Sequence, residues 1–94
     1  MPIKTFRHKG LKRLYEAGNT SGIPPRLADK IRDMLATIDT ADSVSEIGLF
    51  PGWRLHPLKG DLAGRWSLTV SGNWRIVFRF GEGDAFELDL LDYH

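Results

Sequence analysis

Cysteine is absent from the 94 residues, so disulfide staples, thiolate zinc sites and cysteine nucleophiles are all excluded. Long apolar runs are missing too, and no stretch approaches the roughly 20 residues needed to span a bilayer. The first residues, Met1-Pro2-Ile3-Lys4-Thr5-Phe6-Arg7, alternate charge with apolar side chains and lack the hydrophobic centre of a secretory signal. These absences read as a cytosolic protein with no membrane contact. Length is short as well: the chain suits one domain, taken as 1–94, with a single compact core and no room for a dinucleotide-binding fold. Three scattered histidines at no recognisable ligand spacing give no reason to expect a metal, and no cofactor is expected.

Net charge is also small, at +1, a weak invitation to nucleic acid. Its distribution says more. Residues 1–32 carry eight Lys/Arg against Glu16 and Asp29, a balance of +6; the remainder carries five against ten Asp/Glu, a balance of −5. Such asymmetry suits a cationic face for a polyanion with acidic surface elsewhere, or simply two solvated surfaces.

What is present begins with a short strand pattern at 3–6 and a helical one at 8–17, where Leu11, Leu14 and Tyr15 share a face. Gly18-Asn19-Thr20-Ser21-Gly22 stops that helix. A second helix starts near Pro24-Pro25 and carries Leu27, Ile31, Met34, Leu35 and Ile38 as one apolar stripe. Residues 39–49 are polar and irregular, with a helical turn expected at 44–47. From Gly52 the period becomes two. Residues 53–56 read as a strand ended by Pro57, and 59–64 as a loop. Trp66, Leu68 and Val70 then alternate with Arg65, Ser67 and Thr69, a turn at 71–73 leads into 74–80, and a turn at 81–84 leads into 85–91. Helices followed by strands imply an α+β fold, two N-terminal helices packed on a small antiparallel β-sheet whose other face is left for a site. The aromatics Trp66, Trp74, Phe78, Phe80 and Phe86 read mainly as core, and His8, near a helix start where the dipole disfavours charge, as structural or exposed.

Three stretches carry chemistry: Leu55-His56-Pro57-Leu58-Lys59-Gly60-Asp61, Asn73-Trp74-Arg75 and Asp92-Tyr93-His94. Phosphodiester cleavage without a metal needs a base for the ribose 2′-hydroxyl, an acid for the 5′-oxygen and cations for the phosphorane. Histidine suits either proton role, arginine grips phosphate through its fork, and lysine acts as a point charge. Each group also has a plain structural reading. His56 and Lys59 suit solvated surface, Arg75 suits a cross-strand pair with Asp89 or Glu87, and the last three residues suit a frayed tail.

The whole chain resembles the HigB branch of the RelE/ParE toxin superfamily. The resemblance rests on Phe6-Arg7-His8-Lys9-Gly10-Leu11, on 51–61 with its Leu58-Lys59-Gly60-Asp61, on Gly64-Arg65-Trp66-Ser67, on Asn73-Trp74-Arg75-Ile76-Val77-Phe78 and on Asp92-Tyr93-His94. It implies a RelE-like, microbial-RNase-like fold and an mRNA endoribonuclease acting in the A site of the 70S ribosome. It also implies a HigA-type helix-turn-helix antitoxin as partner, with operator DNA reached only through that antitoxin. On the family pattern His56 and His94 form the acid–base pair, with Lys59, Asp92 and Tyr93 completing the site. Arg75 and Asn73 fall to RNA and phosphate contact, and the basic Lys9, Lys12 and Arg13 face ribosomal RNA. Two departures stand out: Ser71-Gly72, expected to loosen a hairpin, and Trp53, where the family often has a small polar residue. Two other readings predict different dependence on these residues. A non-catalytic ParE-like inhibitor of a protein such as DNA gyrase would not need the histidines, and a degenerate toxin acting as co-repressor would need only its antitoxin-binding surface.

Overall fold

A computed structural model describes residues 1–93, arranged as helices followed by an antiparallel sheet. Helix α1 spans Lys9–Ala17. His8 caps it, its ring nitrogen Nδ1 accepting the Leu11 N–H at 3.1 Å, and Gly18 closes it in the left-handed conformation at φ 67°. A 3₁₀ turn at Pro25–Leu27 leads into α2, Ala28–Thr40, which buries Ile31, Met34, Leu35 and Ile38 as its stripe predicts. The expected turn at 44–47 is a one-turn helix α3, Val44–Ile47. Tyr15 on α1 ties the helical layer together by donating to Asp39 at 2.7 Å, while Asp39 also accepts from the Ile3 backbone at 3.1 Å. Gly10 sits so close to the 18–22 loop that an added Cβ would lie 2.3 Å from the Gly22 carbonyl oxygen.

The sheet runs β1 (His56–Pro57), β2 (Arg65–Ser71), β3 (Trp74–Gly81) and β4 (Asp84–Asp92), with neighbours in chain order and every pairing antiparallel. The expected N-terminal strand reduces to two parallel bridges onto β4, Ile3 to Ala85 and Phe6 to Leu88. One face of the sheet carries Leu68, Val70, Ile76, Phe78, Leu88 and Leu90, which join Leu11, Leu14, Ile31, Met34, Ile38 and Ile47 in one core cluster. Every buried apolar helix side chain belongs to that cluster, so the helices occupy this face alone.

Three expectations change. Residues 53–56 are not a strand. Pro51 starts a 3₁₀ turn at Pro51–Trp53, and Arg54 adopts φ 48°, so extended structure begins only at His56. Pro57 does not end the strand but lies in it, opposite Trp66, as an edge strand tolerates. The aromatic core is smaller than the alternation suggests. Phe78 is fully buried, whereas Phe80 is exposed and Phe86 lies opposite Arg79. A bulge causes the latter: the register passes from Val77–Asp89 to Arg79–Phe86, so one extra β4 residue separates Phe86 from its expected face. Gly72 occupies the β2–β3 turn at φ 53°, a conformation glycine adopts without strain.

Candidate functional site

The second face of the sheet collects the polar alternates, and the strand register orders them in rows. Arg65 and Arg79 are direct partners; next come His56, Ser67, Val77 and Asp89; then Thr69, Arg75 and Leu91. Tyr93 follows Leu91, fastened by its N–H to the Asn73 carbonyl at 2.8 Å. Successive rows are about 7 Å apart and neighbouring strands about 5 Å. His56 and Arg75 thus stand roughly 12 Å apart at their backbones, close enough for both side chains to meet one ligand.

His56 is exposed, and its Nδ1 lies 3.1 Å from the Arg54 carbonyl oxygen. A carbonyl only accepts, so Nδ1 carries a proton, and in the neutral ring Nε2 keeps the lone pair. The left-handed Arg54 backbone aims that carbonyl at the ring. Lys59 is exposed and opens the 3₁₀ turn Gly60–Leu62; it follows Leu58, whose N–H bonds the Arg65 carbonyl at 2.9 Å. Lys59 therefore enters at the Arg65 end of the face. At the opposite end Arg75 donates to the carbonyls of Gly72 at 2.6 Å and Trp74 at 3.1 Å, and its guanidinium stands over the Tyr93 ring, 5.9 Å from the centroid. Asn73 is exposed in the β2–β3 turn. Asp92, also exposed, ends β4 opposite Trp74. His94 lies outside the described residues.

The structure brings His56, Arg75, Tyr93 and Asn73 onto one face or its end. It does not bring Lys9, Lys12 and Arg13 there. Helix α1 buries Leu11 and Leu14 in the core cluster, so its exposed cations belong to the helical layer. Two hollows of about 350 and 340 Å³ lie between α1 and α2 and beside residues 3–6, away from His56, and Lys12 lines the second. Among the described residues no three His, Asp or Glu side chains gather as a metal-ligand set. No helix among them is long and apolar enough to cross a membrane.

Sequence reasoning did not single out Arg65, Arg79, Glu87 or Ser67 as participants on this face. Among the described residues Glu87, one of two cross-strand partners weighed for Arg75, does not pair with it. Glu87 instead accepts from Arg79 at 2.8 Å and meets Arg65 at 3.5 Å, and the Arg79 contact, first among several, draws its carboxyl below the usual glutamate range. Ser67, directly opposite His56, is fully buried, with no partner for its hydroxyl among the described residues. Alternation along 65–70 already separates Arg65 and Ser67 from the core face, but only the register shows that they flank His56.

Comparison with known proteins agrees with this architecture. The family model described as the RelE-like toxin of the type II toxin–antitoxin system HigB matches residues 4–94. The chain is 53% identical to the endoribonuclease HigB of Proteus vulgaris, over 98% of this chain and 99% of that protein. It is 30% identical to the toxin HigB-1 of Vibrio cholerae serotype O1, over 95% and 94% of the two chains. In fold it is similar to the YoeB dimer structure from Staphylococcus aureus, with TM-score 0.61, 18% identity and 100% and 97% of the chains covered. By sequence over nearly its whole length and by its helix-on-sheet architecture, the chain belongs to the RelE-like HigB toxins of type II toxin–antitoxin systems.

Proposed function

We propose that the protein is a ribosome-dependent mRNA endoribonuclease, cutting the message in the ribosomal A site and so arresting translation. The observation that carries this reading is the shared placement of His56, Arg75 and Tyr93 on the sheet face that bears no helix. The relative at 53% identity is itself named an endoribonuclease, which favours this reading over a non-catalytic inhibitor of a protein target.

His56 is the base. Its Nε2 takes the proton of the ribose 2′-hydroxyl, and the 2′-oxygen attacks phosphorus. His94 is the acid and protonates the departing 5′-oxygen. The products are a 2′,3′-cyclic phosphate and a free 5′-hydroxyl, so protons and bonds balance with no metal required. Arg75 meets the non-bridging oxygens as charge builds, and Lys59 adds a second cation. Tyr93 offers a ring for the nucleotide, with Asn73 and Asp92 beside it to position the RNA.

His56 is exposed on this face. Little here confines a flexible RNA, so in-line geometry must come largely from the ribosome. Lys9, Lys12 and Arg13, in the helical layer, are then ribosomal RNA contacts, whose affinity falls as salt rises. The partner that silences the toxin is a HigA-type helix-turn-helix antitoxin, through which alone the complex reaches operator DNA. The test is to compare one mRNA free and bound to 70S ribosomes, mapping its ends and their phosphates. Cyclic phosphate ends at the A-site codon only on ribosomes are expected. Equal cleavage of naked RNA would overturn ribosome dependence, and no cleavage in either would overturn the nuclease.

A further inference from the structure

We propose that Arg65 and Arg79 form a second phosphate clamp on the message, on the side of His56 away from Arg75, with Glu87 holding the pair ready. The inference rests on the nuclease reading above and assigns part of its RNA track.

Arg65 and Arg79 are directly opposite on β2 and β3, one row from His56 and Ser67. Like charges directly opposite on a sheet repel, so the pair is unfavourable without a counter-charge. Glu87 supplies one, at 2.8 Å from Arg79 and 3.5 Å from Arg65. One carboxylate between two guanidiniums leaves a net positive charge and most of their ten N–H donors unused by it. The Arg65 side chain is 16% exposed and that of Arg79 56%, so one guanidinium is held in place and the other reaches solvent.

The backbone is bent to present Glu87. This residue adopts φ 55°, a conformation a side chain of its kind rarely takes, at the bulge in β4. Its N–H is fastened to the Thr5 hydroxyl at 2.8 Å. A surface ion pair alone contributes little to stability, so stability is a poor reason for this arrangement. Binding of an anion is a better one. An RNA phosphate entering beside Glu87 meets two preset forks, while Arg75 stands about 14 Å farther along the strands, two rows away. The His56 row lies between the two grips, where an extended message spanning both would place its reacting linkage.

The test uses the full chain on programmed 70S ribosomes, with cleavage rates measured across toxin concentrations for wild type, Arg79→Ala, Arg79→Glu and Glu87→Gln. Thermal unfolding of each variant checks its fold. Arg79→Ala is expected to raise the half-maximal toxin concentration about tenfold, as loss of one charge-assisted contact does, with the maximal rate unchanged. Arg79→Glu should raise it further. Glu87→Gln should move it the other way, because a competing anion is removed. Messages with a neutral methylphosphonate at successive linkages identify the phosphate: at one linkage wild type should show the Arg79→Ala loss, and Arg79→Ala itself should show no additional loss. If no linkage behaves so while the loss persists, the arginines contact ribosomal RNA and the assignment to the message is overturned. Wild-type cleavage left unchanged by both Arg79 variants overturns the clamp alone. Absence of wild-type cleavage overturns the nuclease reading and the clamp with it.

Discussion

The guanidinium of Arg75 stands over the ring of Tyr93, 5.9 Å from its centroid, and so joins the start of β3 to the residue just past β4. An exposed contact of this kind contributes about 0.5–1 kcal/mol, enough to bias where the ring lies but not to lock it. Arg75→Ala should therefore do two things: slow ribosome-bound cleavage by about tenfold or more through lost phosphate contact, and speed amide exchange at Tyr93. Tyr93→Phe keeps the ring and should leave exchange at that amide near wild type. Unchanged cleavage in Arg75→Ala would remove Arg75 from the phosphate site.

Ser67 yields a prediction of opposite sign. Its hydroxyl is fully buried and has no partner among the described residues, which costs desolvation without return. Ser67→Ala should stabilise the fold by about 1 kcal/mol, read from the urea midpoint at constant slope. A loss of stability instead would mean that the hydroxyl is satisfied in solution.

His8 makes stability depend on pH. Burial, with Arg13 acting the same way and Asp89 opposing, lowers its pKa below the ordinary histidine value. The cap also needs Nδ1 unprotonated to accept the Leu11 N–H. The unfolded chain therefore binds this proton more readily than the folded one. The contribution is fully present above about pH 6.5 and is lost as pH falls from there through the lower folded value. His8→Asn caps a helix without titrating, so its stability should fall less than that of wild type on that descent. Chemical denaturation on both sides of about pH 6.5 measures this, and equal losses would show that His8 is not the sensor.

Helix placement and the strand run were legible because each rests on a local period. The α2 stripe of Ile31, Met34, Leu35 and Ile38 is buried as a 3.6-residue period requires, and Leu68 and Val70 are buried as a two-residue period requires. Part of what failed depended on partners distant in sequence, and part on local backbone conformation. The bulge at Glu87 displaces Phe86 from the core face, and the β3–β4 register sets Glu87 beside Arg79 and Arg65 while Arg75 lies opposite Leu91. The 3₁₀ turn at Pro51–Trp53 replaces part of a strand because a proline start and a left-handed Arg54 outweigh the alternation. In the site, His56, Asn73, Arg75 and Tyr93 were nameable from residue type and resemblance. Their common face was not, because it follows from the register of four strands. Lys9, Lys12 and Arg13 were nameable as a basic cluster for ribosomal RNA, and the burial of Leu11 and Leu14 places them in the helical layer.

The central claim is that His56 removes the 2′-proton, and its most direct test is single-turnover cleavage of mRNA on programmed 70S ribosomes by wild type and His56→Ala. New ends at the A-site codon are expected with wild type, and a rate lower by about 100-fold or more with His56→Ala, the usual range for a lost general base. Cleavage by His56→Ala at the wild-type rate would contradict the account.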